Sequence, residues 1–599
     1  MLDFNQQAVV DYRGHCLCIA GPGSGKTRTI IAKVGSLWKE KSGGICIVTF
    51  TRAATEEIKE RIRLEHGAEV AKGVAVGTFH KLCITMLKRA NRLGKIVQSS
   101  EQRNYVLRAM DEVGFQGEYE DAVAEIERFK TSLTKTEDNT GIVAAYQSFL
   151  KKARCCDLID VIADTVKLMR SGEIPPLKAA NLLIDEYQDC DWLQYEWMRC
   201  HAEAGSNITV VGDDDQTIYG FRRSIGFEGI TQFKNEFSAK EIHLNVNYRS
   251  HQEIIELSDK LIRNNAGRVF KEYHSFRGPG GEVQGLAPAG EEGQIEEIID
   301  FVKSKGFELK SGHQGVMAVK KGGLAVIART NHCLTKLVIR MRSEGIVFKY
   351  DRKVAYPAEV GVLFMLLASI EEPSVNAVYS GLHYIGVPTA FLRQLCNDRP
   401  DDALRLNKGA KITITGLDVE LQKRVDDFAS RLKAACSVRE AGEVDFSIEI
   451  IERLMLNFFD PEIHSKTSKN LMMYVCEVLK KISGSLTKRV RRLDSPMDER
   501  GVDLRTEDEL GPVELHTMHS CKGLEFDVVY ITDVSEEIIP AKKAFDLEEE
   551  RRLLFVAITR AKQKAIVCCP TGRNKSAFAG ELGISFMASS SREVAQETR

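Results

Sequence analysis

A lysine and a hydroxyl residue closing a glycine-rich loop form a phosphate-binding signature, and residues 20–27, AGPGSGKT, supply both directly after the apolar run Cys16–Ile19. The spacing fits GxxxxGKS/T. Gly21, Pro22, Gly23, Ser24 and Gly25 let backbone N–H groups converge on phosphate oxygens at the start of the next helix, where the dipole favours an anion. Lys26 is placed to reach the β and γ phosphates of a nucleotide, and the Thr27 hydroxyl to ligate Mg²⁺. About 160 residues on, LLIDEYQD (182–189) puts two carboxylates at the end of an apolar run. Asp185 is placed to hold Mg²⁺ through water, and Glu186 to accept a proton from an attacking water.

These groups need strands to carry them and a cleft to meet in. Short apolar runs, each followed by a turn and a helical pattern, predict buried parallel strands at 16–20, 45–50, 182–185, 208–212, 324–328, 528–532 and 565–569. Strands alternating with helices predict α/β architecture with parallel sheets. Two long stretches, 85–175 and 374–508, carry helical periodicity and charge and read as insertions. Pro175-Pro176 punctuates the end of the first, and 278–281, GPGG, predicts an exposed turn.

A chain of 599 residues exceeds one hydrophobic core, so two or more domains are expected. No window is apolar for the roughly 18 residues a membrane span needs, and MLDFNQQ lacks the features of a signal peptide, which predicts a cytoplasmic protein. Fifteen cysteines without a CxxC spacing predict buried thiols rather than a zinc or iron–sulfur site. A formal net charge of -2 neither requires nor excludes nucleic acid, because backbone binding needs only local positive charge.

Further along stand VVGDDDQTIYGFR (210–222), LNVNYRS (244–250), VELHTMHSCKGLEFDVV (513–529) and LEEERRLLFVAITRAK (547–562). With the two motifs above, this ordered set resembles the superfamily 1 DNA helicases of the UvrD/Rep/PcrA family, from residue 6 to residue 561. The resemblance implies that Gln216 senses the γ-phosphate, while Tyr219 and Phe221 lie towards the bases, where stacking is worth about 1–3 kcal/mol per base. It implies that Arg249 and Arg560 stabilise charge on the transferring phosphoryl group, and that Tyr248 and Arg28 sandwich the adenine. Gln6 would read the adenine edge, with Gln7 leaving the register open by one. Glu525 would meet the ribose hydroxyl. TFTRAATEEIKERI (49–62) and GTFHKLC (77–83) resemble motifs Ia and Ib, which makes Phe50, Thr51, Arg52, Thr78 and His80 candidates for DNA contact, with Thr517 and His519 on the same side.

The family's architecture implies two RecA-like parallel-sheet lobes of the P-loop NTPase class, each with a mainly helical insertion. One lobe would take 1–84 and 176–246 with insertion 85–175, the other 247–373 and 509–580 with insertion 374–508, and 581–599 would be a polar tail. The implied activity is ATP- and Mg²⁺-dependent 3′–5′ movement on single-stranded DNA and at single-strand/duplex junctions, with unwinding. No fused nuclease is expected after the sixth motif. Two alternatives stay open: a motor that feeds or regulates a separate nuclease in repair or anti-phage defence and unwinds weakly alone, and an ATP-gated DNA-binding or assembly module. The sequence departs from the family at Ala53, where lysine is common, at Phe221, often tryptophan, and at Arg223, often glycine. The basic run 488–492, KRVRR, either grips duplex DNA or is an exposed helix face.

Overall fold

The computed structural model describes residues 2–132, 137–220, 223–305, 307–311, 314–320, 322–350, 356–461, 463–494, 510–542, 544 and 546–588. The chain forms two compact units. Met1–Val283, Glu536–Ala565 and Lys575–Ile584 make the first; Gln284–Ser535, Ile566–Asn574 and Ser585–Arg599 make the second.

The first unit is built on a six-stranded parallel sheet in the order Ala75–Thr78, Ile45–Thr49, Asn181–Ile184, Asn207–Gly212, Cys16–Ala20 and Lys240–Leu244. Cys16–Ala20, Ile45–Thr49 and Asn181–Ile184 are buried at every residue, as continuous apolar runs covered on both faces must be. Ile184 pairs with Val48 and Val210, and Cys18 with Val211. This register sets the carboxyl ends of three adjacent strands together, so the loops after Ala20, Ile184 and Gly212 share one crevice, where ligands of open parallel sheets bind. The helix Lys26–Lys39 covers one face through Ile30, Ile31, Val34 and Leu37, which pack with Ile58 and Ile62 of Arg52–His66. On the other face, Phe79–Arg89 and Leu158–Arg170 pack through Phe79, Cys83, Leu87, Val161 and Ile162. The helices Ser99–Val113, Tyr119–Thr131 and Ile142–Lys152 have a small core of their own. The buried Lys130 ammonium ties them to Asp157 at 2.5 Å and Asp160 at 2.6 Å.

In the second unit Leu324–Ala328 lies between Val513–Thr517 and Phe526–Ile531, parallel to both. A large apolar core joins the helices from Ala358–Ser369 to Leu486–Asp494. The basic run sits on the last of these, where Lys488 and Arg491 are exposed and Arg492 is half-buried. Arg489 is buried, bonding Asp445 at 2.5 Å and the Leu479 carbonyl at 3.0 Å. Glu371 accepts from the N–H groups of Leu486 and Thr487, which caps that helix. Of the predicted polar tail, Phe586–Ala588 forms a strand beside Gly285–Ala287, and residues 589–599 lie outside the described residues. No described helix is long and apolar enough to cross a membrane.

One charge cluster fastens the segment after Leu244 to the first sheet. Lys271, 1% exposed, places its ammonium 2.6 Å from Asp213, 2.6 Å from Asp214 and 2.8 Å from Asp215. Arg268 forks onto Asp215 with bonds of 2.9 and 2.7 Å. Burial raises Asp214, and Lys271 opposes it. Burial also opposes ionisation of Asp215, yet Lys271 and Arg268 outweigh it and hold this carboxyl below its ordinary range. Burial alone would lower Lys271, but the aspartates raise it well above the usual lysine value. A raised lysine stabilises until the pH climbs through its folded pKa, and a lowered aspartate until the pH falls through its own, so both contributions are present at neutral pH. Lys271→Met should destabilise the first unit by about 3–5 kcal/mol, because the carboxylates stay buried with Arg268 alone. Calorimetric unfolding at neutral pH checks this, and an unchanged midpoint would contradict it.

Candidate active site

The glycine loop runs from the end of Cys16–Ala20 into the helix Lys26–Lys39, with Gly25 at the N-cap in the left-handed region at φ 80°. A side chain at Gly25 would be strained and would crowd Gln6 Nε2 at 2.7 Å, and one at Gly21 would run into the Tyr273 ring. The loop's carbonyls are held from several directions. Ser24 Oγ donates to Gly21 O at 2.8 Å, Asn247 Nδ2 to Pro22 O at 2.7 Å, Tyr248 N to Gly23 O at 2.8 Å and Gln6 Nε2 to Ser24 O at 3.0 Å. The result is a braced loop at a positive helix terminus, the arrangement a phosphate needs. Lys26 Nζ, at the first helical position, is buried, makes no hydrogen bond among the described residues and lies 3.8 Å from Glu186 Oε1. An ammonium held without a hydrogen-bond acceptor fits an anionic ligand.

Asp185 and Glu186 follow Ile184 at the crevice. Burial, then the Glu186 carboxylate, pushes the Asp185 carboxyl well above the ordinary range, and Lys26 opposes this. A carboxylate in that position suits a divalent cation, whose charge would favour the ionised form. Glu186 adopts φ 51° and ψ 43°, a left-handed conformation that costs a non-glycine residue of order 1–3 kcal/mol and recurs at functional sites. Its carboxylate accepts from Gln188 Nε2 at 2.6 Å, while Gln188 Oε1 accepts from the Asp213 N–H at 3.0 Å. The candidate base is thereby aimed and linked to the next strand's turn. Thr27 lies partly exposed in the first helical turn beside Lys26.

The two arginines and Gln216 converge in this same unit. Gln216 Nε2 donates to Asp213 Oδ2 at 2.7 Å, and its Oε1 accepts from Arg560 Nη2 at 3.3 Å. Arg560 is buried, with Nε donating to the Val556 carbonyl at 2.9 Å, and Arg249 Nη1 donates to the Thr559 carbonyl at 3.2 Å. Tyr248 donates its hydroxyl to Asp3 at 2.8 Å, and Arg28 is close enough for its charge to act on that phenol. Gln6 is the glutamine that faces the loop. It is fully buried with both ends engaged, its Oε1 accepting from Asp3 N, while Gln7 is exposed and bonds Asp11.

The residues expected to meet a nucleic-acid strand fall into three groups. Phe50, Arg52, Thr78 and His80 line a cleft of about 730 Å³ in the first unit, with Lys81, Lys88 and Leu158. Tyr219 stacks on Phe50, ring centroids 5.6 Å apart and planes 18° from parallel, so two predicted base contacts form one aromatic step. Thr51 caps the helix Arg52–His66, accepting from Ala54 N at 3.1 Å. Phe221 lies outside the described residues, and Arg223 holds the left-handed φ of 60° where the family often has glycine. Thr517 and His519 belong to the second unit, at the end of Val513–Thr517 and in the turn that follows it, where Thr517 and Ser520 bond each other. Glu525 is exposed there, before Phe526–Ile531.

Asn247 and Gln188 were missed as site residues. Both stood inside quoted motifs, and the only signal was a polar amide between residues already given roles. Asn247 bonds the loop at Pro22 and also accepts from Arg249 N and Ser250 N, at 2.8 Å each, so one side chain braces both halves of the site.

A family model described as the UvrD/REP helicase N-terminal domain matches residues 1–238, and one described as the UvrD-like helicase C-terminal domain matches 455–569. The chain is 27% identical to the ATP-dependent DNA helicase Rep of Escherichia coli (strain K12), over 93% of this chain and 89% of that protein. It is also 27% identical to the ATP-dependent DNA helicase PcrA of Bacillus subtilis (strain 168), over 93% of this chain and 81% of that protein. Asn247→Ala should weaken nucleotide binding about tenfold, the effect of losing roughly 1.4 kcal/mol of buried hydrogen bonding. Titration with a fluorescent nucleotide checks it, and wild-type affinity would show that the loop holds its shape without the brace.

Proposed function

Because the chain belongs to the UvrD/Rep/PcrA helicase family, we propose that it is an ATP-dependent DNA helicase that moves 3′ to 5′ on single-stranded DNA. The observation that carries this reading is the turn after Asn207–Gly212. At one end Gln216 bonds Arg560 beside the phosphate loop, and at the other Tyr219 stacks on Phe50 at the mouth of the cleft.

The glycine loop and Lys26 bind the phosphates, and Tyr248 and Arg28 flank the base. Thr27 and Asp185 would hold Mg²⁺, which when bound supplies charge neutralisation at the phosphates. Glu186, aimed by Gln188, takes the proton from the attacking water. Arg249 and Arg560 stabilise charge on the transferring group, a contribution of about 10³–10⁵ in rate for such arginines. Loss of that charge releases the arginine contacts, and Gln216 passes the change along its turn to Tyr219. Phe50, Arg52, Thr78 and His80 grip the strand by stacking and by phosphate contact, which is tolerant of sequence. The motor uses Mg²⁺, opens duplex DNA as it moves and works in the cytoplasm. Ala53, where the family commonly has lysine, favours a second reading in which the motor unwinds weakly alone and serves a nuclease or repair partner.

Turnover of ATP with and without single-stranded DNA, followed by unwinding of duplexes carrying a 3′ or a 5′ overhang, tests the reading. The expected result is stimulated turnover and selective opening of the 3′-tailed duplex. Glu186→Gln should lower turnover by about 10²–10⁴ while nucleotide still binds. Stimulation without strand separation would replace the helicase by a translocase, and no stimulation would leave an ATP-gated module.

A further inference from the structure

Resting on that reading, we propose that Glu549 and Arg552 are positioning residues that couple nucleotide state to DNA grip by holding the turn 217–220 against one face of the helix Leu547–Ile558. The first turn of this helix carries three consecutive glutamates, the composition a solvated helix N-terminus would have. Each instead accepts a backbone N–H from a different segment. Glu548 takes Ala266 N at 2.8 Å, Glu549 takes Gly220 N at 3.0 Å and Glu550 takes Ala541 N at 3.1 Å. Among the described residues, Glu549 bonds the turn that carries Tyr219.

The contact is close. A Cβ added at Gly220 would collide with the Glu549 carboxylate, so the backbone and the acid are packed together. Three residues on, Arg552 Nε donates to the Thr217 carbonyl at 2.8 Å, its guanidinium steadied by Asp546 at 3.1 Å. Just past the end of the helix, Arg560 meets Gln216. Positions 549, 552 and 556 recur at the spacing of one helical face, and Arg560 follows two residues beyond the helix's end. That face tracks the turn at Gly220, Thr217 and Gln216, with Val556 supplying the carbonyl that orients Arg560.

A helix is stiff along its axis, so a displacement at Arg560 is carried to Glu549 with little loss. Tyr219, whose ring stacks on Phe50, precedes Gly220 in the chain, so the Gly220 N–H bond sets the backbone from which that ring projects. The link is a bonded one: from the arginine that meets the sensor Gln216, through the helix, to an aromatic at the DNA cleft.

Coupling is a free energy and is measured as one. The experiment uses the full chain and a fluorescent oligo-dT strand, with dissociation constants measured by anisotropy without nucleotide and with a non-hydrolysable ATP analogue. Turnover with and without the strand is measured on the same samples. In the wild type the analogue should shift DNA affinity at least about fivefold. Glu549→Ala and Arg552→Ala should abolish that shift and most of the DNA stimulation, while leaving nucleotide-free DNA affinity and DNA-independent turnover unchanged. Glu549→Gln keeps an acceptor oxygen for Gly220 N–H and should restore the shift. A wild-type shift in both alanine variants would overturn the proposal, as would a uniform fall in DNA-free and DNA-stimulated turnover with a lowered melting temperature, the mark of a merely structural role. Absence of any shift or stimulation in the wild type would instead bring down the helicase reading, and this inference with it.

Discussion

A buried ammonium is costly without negative charge around it, and three consecutive aspartates are costly to bury without cations to meet them. Lys271 and Arg268 on one side, and Asp213, Asp214 and Asp215 on the other, satisfy both conditions at the carboxyl end of the central sheet. Desolvation makes each partner costly alone, which fixes the pairing more firmly than an exposed bridge would. Residues 247–283 are thereby tied to the strands that carry the phosphate loop. Asn247, Tyr248 and Arg249 are delivered to that loop because the chain that follows them is anchored at Lys271.

The site built on this anchor is held by contacts within the protein itself. Glu186 keeps a left-handed backbone, Gln188 aims its carboxylate, and Asn247 braces Pro22 while accepting from the two residues that follow Tyr248. Fixed dipoles and charges cost no reorganisation when charge develops, which is the physical advantage of spending hydrogen bonds on the scaffold. The same economy appears in the helix Leu547–Ile558, whose acidic first turn meets backbone N–H groups of three segments and whose far end presents Arg560.

Much of this was legible from residue types and spacing, because the relevant interactions are local. Continuous apolar runs are buried strands wherever both faces are covered, and Cys16–Ala20 and Leu324–Ala328 fall at the predicted residues. Others differ at their ends: Ile45–Thr49 stops one residue early, and Ala561–Cys568 begins four residues before the predicted 565. Ends are set by cross-strand pairing, which periodicity does not contain. Within the basic run at 488–492, nothing in five residues reveals that Arg489 turns inward to Asp445.

By itself the sequence determined the parallel α/β class, the phosphate loop, the paired carboxylates at the end of a strand and the ordered motifs that carry the family resemblance. Each rests on neighbours a few residues apart, or on chemistry that tolerates few substitutes. Only the tertiary structure decided that Gln6 rather than Gln7 faces the loop, that Asn247 braces it, that Gln188 links Glu186 to the turn at Asp213, and that Glu549 and Arg552 hold the turn leading to Tyr219. These are contacts between residues separated by between about twenty and more than three hundred positions, and a side chain's partner at that range is set by strand order and helix packing.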